Sequence, residues 1–106
     1  MVDARNVKFP ITLEEFTRLQ RAEMNHEPTA DELELFAEIA DTANEAYHAA
    51  AAGDSDTVED IFNAINHAAA EAPEYWHVAA LFRGWVNKGM WEGTKVLKKM
   101  IDSMEE

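Results

Sequence analysis

Apolar residues recur along this chain every three or four positions, and no alternating run exceeds four residues, so the pattern predicts helices and no strand. In TLEEFTRLQRAEMN, Leu13, Phe16 and Leu19/Gln20 form one stripe. Thr12 stands three residues before Glu15, a capping-box spacing in which each side chain satisfies an orphaned N–H of the first turn. Pro28 ends that segment, and Thr29 with Glu32 repeats the box ahead of ADELELFAEIADTANEAYHAAAA. Here Leu33, Phe36, Ala37, Ala40, Ala43 and Tyr47 share a face, and Gly53 is the expected stop. Asp54 to Asp56 cap a third helix that turns Val58, Ile61, Phe62, Ile65 and Ala68/Ala69 inward. Pro73 opens a fourth, burying Tyr75, Val78, Ala79, Phe82 and Val86, with Trp85 at the core edge and Trp76 turned away. Gly89 is expected to divide it from a fifth that begins near Trp91 and turns Gly93, Leu97, Met100, Ile101 and Met104 inward.

The expected architecture is all-α: one domain over residues 1–106, a bundle of four to five short antiparallel helices, with residues 1–11 as an extended amino-terminal arm. The succession of Gly53-Asp54, an amphipathic helix, Pro73 and LFRGWVNKGMWEG loosely resembles the helix-turn-helix rhythm of tetratricopeptide repeats. Gly53 to Pro73 is about a turn too long for that repeat, and Thr94 or Lys95 stands where it has a small residue. The resemblance therefore implies stacked helical hairpins and assigns no family.

Composition adds bounds. An apolar fraction of 47% with 28% charged residues is that of a folding chain, and 106 residues allow one core. No apolar run approaches the ~20 residues of a membrane span, and the amino end lacks the pattern of a signal peptide, so a cytoplasmic protein is expected. The absence of cysteine excludes disulfides, thiol catalysis and Cys-ligated zinc.

Charge changes the picture more. The formal net charge is -12, yet residues 1–26 balance, residues 27–74 hold thirteen acids and no Lys or Arg, and residues 75–101 reverse the sign with five cations against Glu92. A dipolar molecule is expected.

Candidate chemistry is sparse. Glu45-x-x-His48 and Glu74-x-x-His77 have the spacing of carboxylate-bridged di-iron bundles. In an up-down bundle the second and fourth helices run parallel, which puts the two pairs at opposite ends, and the first and third helices offer no bridging glutamates. No metal and no cofactor is expected. Ser55 and Ser103 lack His and acid partners, and no glycine-rich loop follows a strand, so the chain reads as non-enzymatic.

Two surfaces remain. Glu34, Glu38, Asp41 and Glu45 step by four, three and four along one helix edge, either a solvated face or an imitation of a phosphate row that docks on a basic surface. Trp76, Arg83, Trp91, Lys95 and Lys98 form a basic-aromatic patch, a contact for protein or for stacked bases. These features point first to an acidic binding protein of the phage or mobile-element inhibitor type, anti-CRISPR or anti-nuclease, whose partner is a nucleic-acid-binding protein. The alternatives are a single-stranded nucleic-acid binder and a structural or adaptor domain that pairs as a homodimer.

Overall fold

The computed structural model describes residues 7–104, and residues 1–6 of the expected arm lie outside that range. Among the described residues there are four α-helices and no strand: α1 (Leu13–Glu23), α2 (Ala30–Ala51), α3 (Ser55–Glu71) and α4 (Trp76–Met104), with a single 3-10 turn, Pro73–Tyr75, leading into α4.

The caps follow from local chemistry. At α2 the box closes in both directions, Glu32 N–H donating to Thr29 Oγ1 at 3.2 Å and Thr29 N–H to Glu32 Oε1 at 3.1 Å. At α1 only half of the expected box forms. Thr12 accepts from Glu15 N–H at 3.1 Å, but the Glu15 carboxylate turns forward to the guanidinium of Arg18, a charged donor that outcompetes a neutral amide. Asp54 caps α3 by accepting from Thr57 N–H at 3.1 Å and from its hydroxyl at 2.6 Å. Gly53 ends α2 in the left-handed region, φ 75, and the N–H of Asp54 reaches back to Ala49 O at 2.8 Å, so orphaned carbonyls of the last turn are satisfied.

α2 is the central element. It buries Phe36, Ile39, Ala40, Ala43, Ala46, Ala49 and Ala50, a wider face than the single expected stripe, because α1, α3 and α4 all pack on it. Leu33, assigned to that stripe, is 38% exposed at the amino end, and Leu13 of α1 is 44% exposed. On one side α1 and the segment before it run antiparallel to α2. Phe16 meets Phe36 edge-on, Phe9 stacks on Tyr47, and Asn44 forms two 2.7 Å hydrogen bonds with the backbone of Ile11, donating to its carbonyl and accepting from its N–H. Val7 and Ile11 are buried there, so the described part of the amino-terminal segment belongs to the core.

The fourth and fifth helices are one continuous helix of 29 residues. Gly89 and Gly93 lie inside it and break nothing. Neither has a positive φ, and both are buried against α2. A Cβ on Gly89 would overlap the carbonyl oxygen of Ala43, and one on Gly93 would overlap that of Tyr47 and come within 2.9 Å of the Ala50 methyl. The glycines thus let two backbones approach, and the helix tolerates their poor propensity, ~1 kcal/mol each, because the packing requires them. Pairing of 43 with 89, 47 and 50 with 93, and 53 with 97 shows that α2 and α4 run parallel, as the up-down order requires.

Past that pairing α4 outruns α2. Met100, Ile101 and Met104, expected inward, are 53%, 46% and 83% exposed because no described element extends far enough to cover them. Tyr75, also expected inside, is 59% exposed, since the 3-10 turn lifts it away from the core.

Candidate protein-binding surface

Neighbours on three sides of α2 leave it one free edge, and the four acids of the ridge occupy that edge. Glu34, Glu38, Asp41 and Glu45 are all exposed. They span roughly 16 Å of helix axis. Among the described residues the ion pairs are Arg18–Glu15, Arg21–Glu27 and Lys95–Glu92, while His26 and His67 contact Glu32 and Glu71, and none of these reaches the ridge. Four carboxylates at i,i+3 and i,i+4 spacing repel one another without relief, by ~0.2–0.5 kcal/mol per pair.

Some carboxylates elsewhere are engaged. Backbone donation from Thr29, aided by His26, holds Glu32 below the usual carboxylate range. The Thr57 hydroxyl and backbone N–H do the same for Asp54, and the Arg18 guanidinium does so for Glu15. Each of these serves a helix start or an i,i+3 pair.

The basic-aromatic residues are all exposed on α4, but they do not form one patch. Trp91, Lys95 and Lys98 are neighbours at one end, whereas Trp76 and Arg83 sit further back, the whole stretching over roughly 33 Å. Trp76 and Trp91 are 70% and 56% exposed. Lys95 is bound to Glu92 at 3.1 Å, which cancels one of the cations. Trp85 is different: its ring meets Phe16 edge-on with centroids 4.8 Å apart, and it packs against the α1–α2 core. Among the three tryptophans it is the one that serves the fold.

Periodicity alone did not reveal a third feature. Between α3 and the amino-terminal half of α4, with Thr42 and Glu45 of α2 on its edge, runs an apolar groove of about 520 Å³. Its walls include Ile61, Ile65, Val78 and Phe82, and no Lys or Arg lines it. The signal was present in the composition of α3. From Ala64 onward, AINHAAAEA supplies mostly methyl groups, too short to fill the space across to α4, and Ile65 is the only buried residue of α3.

Glu45, His48, Glu74 and His77 do not come together, and among the described residues no three His, Asp or Glu side chains converge as a metal site would need. No described helix is long and apolar enough to cross a membrane. The chain matches no family model, and neither a curated protein nor a solved structure matches it, so its own surfaces are the ground for a functional reading.

Proposed function

We propose that this chain is a non-enzymatic acidic binding protein that occupies a basic, nucleic-acid-binding surface of a partner protein, in the manner of phage or mobile-element inhibitors of nucleases and CRISPR-type complexes. The supporting observation is the ridge itself: four exposed carboxylates on one edge of the central helix, free of ion pairs among the described residues and rigidly spaced because that helix is held on three sides. A fixed row of anions attracts a surface built for phosphates and speeds encounter with it, while like-charged surfaces are repelled. The helix backbone already fixes the spacing of the row, so docking costs only the rotamer freedom of its side chains. Titration into DNA-cleavage assays of a CRISPR-type effector and of a restriction nuclease tests this reading. Inhibition is expected from the wild-type chain and not from a variant with Glu34, Glu38 and Glu45 changed to Gln and Asp41 to Asn. Equal inhibition by both proteins would sink it.

A second reading rests on the two exposed indoles. Trp76 and Trp91 beside Arg83 and Lys98 offer stacking faces for single-stranded nucleic acid. The net charge of -12 opposes a phosphate chain everywhere except along that stripe. A gel shift with labelled single strands at low salt, lost in Trp91→Ala, would favour it over the first.

A further inference from the structure

The groove between α3 and α4 is an apolar surface that no described element covers. Its floor is permissive: Ala64, Ala68 and Ala72 present only methyl groups, so a second helix can approach closely and seat large apolar side chains against Ile65 and Phe82. Its edge is acidic. Glu45 lines it, and Glu38 lies one turn before Thr42, whose hydroxyl bonds the Glu38 carbonyl at 2.8 Å and so sits back on the helix instead of reaching outward. The segment that supplies α2, α3 and this edge, residues 27–74, contains no Lys or Arg.

Two occupants can be compared on charge. The exposed end of α4 in a second copy offers Met100, Ile101 and Met104, but in the sequence Lys98 and Lys99 are followed by Asp102, Glu105 and Glu106, so that stretch carries no net positive charge for an acidic edge. A partner segment with apolar residues on one face and Lys or Arg on its flanks satisfies both the walls and the edge. We infer that the groove receives a basic amphipathic helix of the partner, its apolar face against the alanines of α3 and its cations against Glu45 and Glu38. The inference rests on the reading of an acid-faced binding protein and names the shape of the partner's contact.

Calorimetric titration with a synthetic amphipathic helix of leucine and lysine tests it, with the same residues in scrambled order as control. Expected are one-to-one binding that weakens as salt rises, and at least tenfold weaker binding of the scrambled peptide. Ala68→Arg should also weaken binding at least tenfold. Ala68 is exposed, so this change blocks the groove without disturbing the core, and Ala64→Arg, at another exposed groove position, is the second variant. Equal binding of ordered and scrambled peptides would mean that charge alone is recognised and would overturn the groove. So would affinity unchanged in both arginine variants, or a wild-type dimer that Ala68→Arg dissociates, which would assign the groove to a second copy. The peptide assay needs no nuclease, so the two readings fail separately. Nuclease inhibition that survives Ala68→Arg removes the groove and leaves the acidic ridge, whereas peptide binding without inhibition removes the nuclease target and leaves the groove.

Discussion

At Gly89 and Gly93 a single methyl group decides whether α4 can lie on α2, and the three glycines of α4 make a controlled comparison. A Cβ on Gly84 would meet nothing within 4 Å, so Gly84→Ala should stabilise the protein by about 0.5–1 kcal/mol through helix propensity alone. Gly89→Ala and Gly93→Ala gain the same propensity but force a methyl into a backbone carbonyl of α2. A net loss of about 1–3 kcal/mol is expected in a denaturant melt. Stabilisation by all three would mean that α2 and α4 do not approach so closely. The tryptophans make a second comparison. Trp91→Ala removes an exposed ring and should cost under about 1 kcal/mol, whereas Trp85→Ala strips the edge-on partner of Phe16 and should cost about 3 kcal/mol. Comparable losses in the two variants would mean that Trp91 folds back onto the helix.

Helix starts and helix packing set the behaviour of whole elements. Asp54 and Glu32 have carboxyls held below their ordinary range by the donors they cap, so each adds stability above that range and gives it up as pH falls through it. Asn at position 54 still accepts from Thr57 but does not titrate. The stability difference between wild type and Asp54→Asn should therefore shrink between about pH 5 and pH 3, followed by thermal melting at fixed salt. A constant difference would show that the Asp54 cap carries no charge-dependent stability. α3 differs from its neighbours in having one buried residue, while α2 has seven. In hydrogen exchange the amides of α3 should open by a local route, well before those of α2, which should exchange only with global unfolding. Equal protection of the two helices would mean that α3 is tied down more firmly than its burial indicates.

On the scale of the molecule, the principal extents of 51 × 33 × 19 Å describe a slab about two helices thick. Among the described residues no ion pair joins the acidic ridge to the cations of α4, so neither neutralises the other within one copy. Replacing the four ridge acids by their amides should leave the helical circular dichroism unchanged and raise stability by a few tenths of a kcal/mol per relieved pair, ~0.2–0.5 each. The gain should fade at high salt as screening removes the repulsion. A loss of stability in that variant would show that the ridge acids are engaged within the fold.

The helical class, the first three helices and their order, the stop at Gly53 and the caps at Thr29 and Asp54 were legible in the sequence, because each depends on neighbours within four residues. So was the acidic edge of α2, since charge at helical spacing needs no partner to be recognised. Only the tertiary structure decided the role of Gly89, because a glycine that ends a helix and one that admits a neighbouring backbone look alike until the neighbour is placed. The same holds for Met100, Ile101 and Met104, whose spacing is that of a buried stripe but which α2 is too short to cover. Asn44 reads as one more polar residue in a helix until Ile11, thirty-three positions away, is brought against it. The groove beside α3 is likewise a matter of volume between helices, and periodicity reports which face turns inward but not whether its side chains fill the space they meet.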